Sequence, residues 1–270
     1  MRRPLITFTT DFGLSDWFAG TMKGVVLGIA PQTQVVDITH SIPPGSIRAG
    51  AFALRSAFRY FPKGTIHVVV VDPGVGSNRR SIAVRTRNYN FVGPDNGVLS
   101  WALALEKVVA VHSLDHSEYF LPQVSRTFHG RDVFAPVAAH LANGLPVAKL
   151  GWKLAGYVRL PWPEPKLQDS AIVGEVLYLD RFGNAITNLD TASLAEATAG
   201  KQVEVLLGRK RVASLASCYA SVPKGKPVAV IGSSGFLEIA VNGGHAARTL
   251  RIKVGTVVTV RSPRPLKPNS

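Results

Sequence analysis

The chain is poor in the residues that staple or anchor a protein. Among 270 residues there is one cysteine, Cys218, which excludes an internal disulfide and a cysteine-based zinc site. No run approaches the roughly 18 uninterrupted apolar residues of a membrane-spanning helix, so no membrane partner is expected. The start, MRRPLITFTTDFG, has only a short apolar stretch before Asp11 and no small-residue cleavage site, unlike a signal peptide. A reducing, cytoplasmic setting is the expectation. No Gly-x-Gly-x-x-Gly follows the first apolar run, and no glycine loop ends in the Gly-Lys-Ser/Thr of a Walker motif. His40, His67, His112, His116, His140 and His245 show no paired metal-ligand spacing, so no metal site is expected.

Acids are scarce too. Thirty-one Lys and Arg against 17 Asp and Glu leave a net charge of +14. From Lys201 to Ser270, twelve basic residues face two acids, Glu204 and Glu238. A basic face can bind nucleic acid, but no aromatic-interleaved RNA motif accompanies it. A solvated surface, or a patch meeting an acidic patch on another subunit, is the preferred reading.

What is present is a foldable α/β pattern. At 46% hydrophobic and 18% charged, the chain can bury a substantial core. Leu5-Ile6-Thr7-Phe8-Thr9 and Val35-Val36-Asp37-Ile38 read as strands. Asp16 to Ala30 and Gly45 to Phe61 have helical spacing, with Asp16 as a cap for the first. Ile66 to Val71 is a continuous β-rich run, suited to a parallel strand buried on both faces. Ser81 to Thr86 and Asn90 to Val92 read as a strand pair, Val98 to Leu105 and Val133 to Leu145 as helices. This predicts a mostly parallel sheet flanked by helices over residues 1–160. Pro161-Trp162-Pro163-Glu164-Pro165 reads as a stiff linker, 161–170. Short apolar strands then recur (Ile172 to Leu179, Val203 to Leu207, Val228 to Ile231, Leu237 to Val241, Val257 to Val260), predicting a smaller antiparallel β-barrel-like domain over 171–262. Residues 263–270 form a basic tail.

Ligands of α/β sheets bind beyond the carboxyl ends of the strands. Three polar clusters fall at such positions or at a helix start: Thr9 to Gly13 with Asp16 behind, Asp72 to Arg80, and Phe128 to Asp132. A fourth, Asp180 to Asn184, lies in the second half. Singly, each is explained by a turn, a cap or a core histidine. Together they exceed what turns require and describe an α/β enzyme with a polar cleft, an acid-rich ligand site and an Asp/Arg/His relay. They do not name a substrate.

The strings TDFG (Thr10–Gly13), DITHSIPP (Asp37–Pro44), FPKGTIHVVVVDPGVGS (Phe61–Ser77), FVGPDNG (Phe91–Gly97), FHGRDVFAPVAAHLA (Phe128–Ala142), DRFGNAITN (Asp180–Asn188) and GSSGFLEIAVN (Gly232–Asn242) carry a resemblance. In this order they resemble the adenosine-forming S-adenosyl-L-methionine (SAM) hydrolases, also called SAM hydroxide adenosyltransferases, relatives of the fluorinase and the chlorinase. The resemblance implies hydrolysis of SAM to adenosine and L-methionine, with SAM as substrate and no cofactor. It also implies a homotrimer with active sites at subunit interfaces. Asp72, Arg79 and His129 would be catalytic, where the fluorinase pattern has a tyrosine for Asp72 and a serine for Gly130. Asp11 would hold the ribose hydroxyls, Asp16 and Asp180 the methionine ammonium, and Ser233 with Ser234 the carboxylate. Asn184 would read the adenine edge through its amide, with backbone around Asn242 and Gly243. Phe182 and Phe236 would be apolar walls, and Gly45 replaces a fluorinase tryptophan. Asp72 and His129 are the two available proton acceptors, and small Gly130 is expected to leave room for a water beside His129. Rival readings are a chlorinase-type halogenase and a non-enzymatic binder of nucleosides or RNA.

Overall fold

A computed structural model describes residues 3–168, 171–198 and 203–262. Contacts divide the chain into two units, the boundary falling between Pro161 and Trp162. The basic tail lies outside the described residues.

The first unit is a six-stranded sheet with helices. Its elements are β1 (Leu5–Thr10), α1 (Phe18–Ile29), β2 (Gln34–Thr39), α2 (Ile47–Ala57), β3 (Ile66–Val70), β4 (Ser81–Thr86), β5 (Asn90–Pro94), α3 (Ser100–Leu103), β6 (Val108–Ser113) and α4 (Ala135–Ala142). The strand order is β2-β1-β3-β5-β4-β6. Strands β1, β2, β3 and β5 are mutually parallel, while β4 runs antiparallel to both neighbours. Every residue of β3 is buried, His67 included, as expected of a central parallel strand. Ile6 and Phe8 of β1, Val68 and Val70 of β3, Met22 and Val26 of α1 and Val137 of α4 share one core.

Three local readings differ. Asp16 does not cap α1: the cap position is Trp17, with no side-chain hydrogen bond, so Asp16 stays exposed in the loop before it. The helix expected from Val98 to Leu105 shrinks to α3. The helix expected from Val133 begins earlier, in a π-helical turn, Gly130–Phe134, that runs into α4.

The second unit contains β7 (Lys166–Gln168), β8 (Ala171–Leu179), β9 (Ala185–Asp190), α5 (Thr191–Thr198), β10 (Glu204–Leu207), β11 (Lys210–Ser214), β12 (Pro227–Ile231), β13 (Phe236–Val241), α6 (Ala246–Thr249) and β14 (Val257–Arg261). The order β11-β10-β14-β8-β9-β13-β12 is antiparallel throughout, with β7 alongside β8. Strand β7 thus occupies residues inside the stretch read as linker. The two ends of the sheet meet where Leu215 bridges Ala229 and the Ala216 N–H donates to the Ala229 carbonyl (2.8 Å), giving a nearly closed barrel. Val176, Ala185, Val205, Ala229, Leu237, Ile239, Val258 and Val260 fill it. Alternation along β13 therefore turns Phe236, Glu238 and Ala240 outward.

Candidate active site

Because β1, β2, β3 and β5 are parallel, their carboxyl ends lie on one edge of the sheet. The chain leaves that edge at Asp11 after β1, His40 after β2, Asp72 just past β3 and Asp95 after β5.

Asp72, Arg79 and His129 come together although 57 residues of chain separate Asp72 from His129 (129 minus 72). Arg79 donates to Asp72 Oδ2 from Nε (2.8 Å) and Nη2 (2.5 Å), to Ser81 Oγ from Nη1 (2.6 Å), and from Nη2 to His129 Nδ1 (2.7 Å). It also lies 5.5 Å from the ring centroid of Phe134. The Asp72 side chain is only 4% exposed. Its second oxygen, Oδ1, is buried and has no hydrogen-bond partner among the described residues.

This geometry fixes a tautomer. A guanidinium can only donate, so His129 Nδ1 must present its lone pair. The hydrogen of the neutral ring then sits on Nε2, which is a donor. Burial lowers the His129 pKa below its ordinary value of 6.5, and the Arg79 charge adds to this, against opposing terms from Asp72 and Asp132. Both effects favour the neutral ring.

Aromatic packing sets the position of the flanking loops. Phe12, which follows Asp11, meets Phe128, which precedes His129, edge to face at 5.7 Å. Phe18 of α1 packs on both, 5.8 and 5.1 Å away. Gly130 lies against the same cluster: a Cβ there would stand 3.1 Å from Met22 Sδ and 3.2 Å from Phe128. Its missing Cβ therefore serves core packing. Fully buried Asp132 accepts the Ser125 N–H (2.8 Å) and an Arg131 Nε–H (2.5 Å), tying down the preceding loop.

Asp11 Oδ2 accepts the Gly45 N–H at 2.7 Å, and Gly45 lies against Pro73, next to Asp72. Asp11 and the Asp72 cluster thus share one group of loops. Below them, buried His40 contacts Thr10 Oγ1 through Nδ1 (2.7 Å) and Asp37 Oδ1 through Nε2 (3.1 Å), and Lys23 meets Asp37 Oδ2 at 2.5 Å. Burial alone would raise the Asp37 pKa, but hydrogen bonds and charges from Lys23 and His40 outweigh it and hold it low. Asp16 is exposed, flanked by Leu14 and Trp17, which are exposed as well.

In the second unit, Asn184 donates to Asp180 twice, from its backbone to Oδ1 (2.8 Å) and from Nδ2 to Oδ2 (3.0 Å). Gly183 makes this turn possible. Its φ is +81°, and a Cβ would fall 2.0 Å from His245 Nδ1. Phe182 is 75% exposed, whereas Phe236 is buried with its ring 5.6 Å from Trp162. Ser233 and Ser234 occupy the hairpin turn between β12 and β13, Ser233 exposed. Asn242 spends its backbone on Gly225 and Lys226 and its Nδ2 on the Val222 carbonyl (2.7 Å). Among the described residues, no three His, Cys, Asp or Glu side chains converge as a metal site.

Residues 6–151 match the SAM hydroxide adenosyltransferase N-terminal domain, and residues 174–259 match the corresponding C-terminal domain. The chain belongs to the SAM hydroxide adenosyltransferase family. It is 41% identical over 264 residues to the (R)-S-adenosyl-L-methionine hydrolase of Salinispora arenicola, covering 95% of this chain and 97% of that one. It is 42% identical over 262 residues to the enzyme of that name from Thermus thermophilus, covering 94% and 98%. A fluorinase from Nocardia brasiliensis is more distant, 28% identical over 292 residues, covering 96% and 97%. The crystal structure of an uncharacterized conserved protein from Thermotoga maritima matches with a TM-score of 0.90 at 37% identity, covering 95% and 99%. In this SAM hydroxide adenosyltransferase two contacts of the site are not legible in the sequence: the Gly45 backbone N–H on Asp11 leaves no side-chain pattern, and Ser81, which accepts from Arg79, is one serine at the start of a β-rich run.

Proposed function

We propose that the chain hydrolyses SAM to adenosine and L-methionine by in-line attack of water on C5′. The observation that carries the reading is Arg79 holding Asp72 and His129 together while leaving Asp72 Oδ1 buried and free. Water oxygen bonds to C5′, the C5′–S bond breaks with its electron pair going to sulfur, and the proton passes to Asp72 Oδ1. The leaving group is a neutral thioether, so no general acid and no metal is called for.

Magnitudes decide the timing. Stripping a proton from free water with a carboxylate is uphill by about 16 kcal/mol, the gap between pKa values of roughly 15.7 and 3.9. The proton must therefore leave as the C–O bond forms, when oxygen becomes acidic, rather than beforehand. A base in hydrogen-bond reach then suffices. His129, with its hydrogen on Nε2, orients the water as a donor and is not the base. In-line geometry asks for an oxygen about 3–3.5 Å from C5′, opposite sulfur. Partial negative charge on oxygen and positive charge on sulfur cancel in the transition state, which a water-poor site favours.

Asp11 takes the ribose hydroxyls on its two oxygens. Asp16 and Asp180 take the methionine ammonium, and Ser233 with Ser234 the carboxylate. Asn184, its Nδ2 given to Asp180, offers Oδ1 to the adenine amine, and Asn242 steadies the nearby turn. Phe182 and Phe236 wall the ligand. The acting form is a homotrimer with sites at subunit interfaces, working in the cytoplasm. Exposed Leu14, Trp17 and Phe182, beside Asp16 and Asp180, are apolar surface that such an assembly would cover.

The test is incubation of the purified protein with SAM in oxygen-18 water, following adenosine by chromatography and mass. Labelled adenosine is expected from the wild type and not from Asp72→Ala. Unlabelled adenosine, a 5′-chloro product in high chloride, or no turnover would overturn the reading. Light scattering reads the assembly state.

A further inference from the structure

We propose that Glu238, held by Tyr219, is a specificity residue: a second carboxylate beside Asp180 for the α-ammonium of the substrate's methionine end. This rests on the SAM-hydrolase reading above.

Glu238 sits mid-strand in β13, between Leu237 and Ile239, which face into the barrel. Its own side chain faces out. Across the sheet its neighbour on β9 is Ile186, whose neighbour on β8 is Tyr178. Asp180 follows Tyr178 by two residues, continuing the same face. Burial raises the proton affinities of Tyr178, Tyr219 and Glu238, and the nearby Asp180 charge adds to each.

Glu238 is only 5% exposed. Its partner is neutral: the Tyr219 hydroxyl donates to Oε1 at 2.6 Å. The other oxygen lies against Gly232, 2.5 Å from where a Cβ would stand, so only glycine there admits the carboxylate. Gly232 opens the turn that carries Ser233 and Ser234. Among the described residues no Lys, Arg or His forms an ion pair with Glu238. A buried carboxylate without a counter-charge is costly, more so beside a second one. An arriving ammonium relieves both, since it brings three donors and each Asp180 oxygen keeps a lone pair beyond its Asn184 bond. The tyrosine would aim the carboxylate, while Ser233 and Ser234 take the opposite charge of the amino-acid head.

The test compares SAM with its sulfonium analogue lacking the α-amino group, in the full-length wild type, Glu238→Gln and Tyr219→Phe. Glu238→Gln keeps the shape and the tyrosine contact. Expected is a roughly tenfold rise in KM for SAM with kcat within about twofold, and no change for the analogue, so the preference for SAM narrows about tenfold. Tyr219→Phe should narrow it less. Equal losses on both substrates, or a loss in kcat alone, would overturn the inference. Calorimetric binding of the two ligands gives the same comparison without turnover, so a failure of the hydrolase reading is told apart from a failure of this one. If Glu238→Gln does not fold, Glu238→Asp, which shortens the reach, must narrow the preference instead.

Discussion

Phe12 and Phe128 pack edge to face at 5.7 Å, joining the loop that carries Asp11 to the loop that carries His129. The contact makes an apolar cluster the ruler for a polar site. Replacing Phe128 with Leu keeps an apolar residue but removes the ring. The expected loss is about 1 kcal/mol of stability from the aromatic pair, with kcat down more than tenfold and KM for SAM within about threefold. Thermal melts and steady-state kinetics check both. An unchanged kcat would mean that His129 is positioned by Arg79 alone.

If Asp72 is the base and His129 a donor, substitutions should separate them. Asp72→Asn removes the acceptor and is expected to lower kcat by about 10³. His129→Gln keeps an N–H near the Nε2 position but cannot take up a proton, and should lose about tenfold. His129→Ala should fall well below Gln. Single-turnover rates measure the order, and Gln as poor as Ala would return the base role to histidine.

Acid should switch the site off through His129. Its folded pKa lies below 6.5 because of burial and the Arg79 charge. Above that value Nδ1 accepts from Arg79. Below it, a proton occupies the lone pair and sets two cations side by side. The profile of kcat/KM is therefore expected to stay level down through pH 6.5 and fall only below it. A pH–rate series checks this. In His129→Gln the same limb should weaken.

His67 predicts a separate pH effect, on stability. It is boxed by Phe58, Phe61, Tyr89 and Phe91, and burial lowers its pKa to about 3. The unfolded chain binds a proton near 6.5 that the folded one refuses until about 3. Stability is therefore full above pH 6.5 and lost as pH falls toward 3, by up to about 1.4 kcal/mol per unit. Urea midpoints at pH 7.5, 6 and 5 should show the slope, reduced by about one proton in His67→Phe.

Much of this was legible in the residues. The run ending at Asp72 announced a parallel strand with an acid at its carboxyl end, because burial on both faces leaves a nearly continuous apolar string, and the β-rich run before Asp11 announced a second strand ending in an acid. Strand β6 was not read: it lies at the sheet edge, where one face is solvated and the apolar signal thins. Asp16 had the chemistry of a helix cap but does not bond there, since capping depends on the loop path and not on residue type. The meeting of Asp72, Arg79 and His129 was expected from resemblance. Which oxygen stays free, and which imidazole nitrogen holds the hydrogen, depends on distances that spacing does not encode. That the missing Cβ of Gly130 accommodates Met22 and Phe128 is likewise a matter of packing that spacing does not encode.

The wide helical turn from Gly130 to Phe134 holds one residue more than the regular spiral it leads into. Deleting a single residue there would let α4 run back without interruption and rotate what precedes it by about 100°. The imidazole would swing off its guanidinium while the sheet beneath stayed as it is. A descendant with that one-codon loss would inherit the scaffold and forfeit the chemistry.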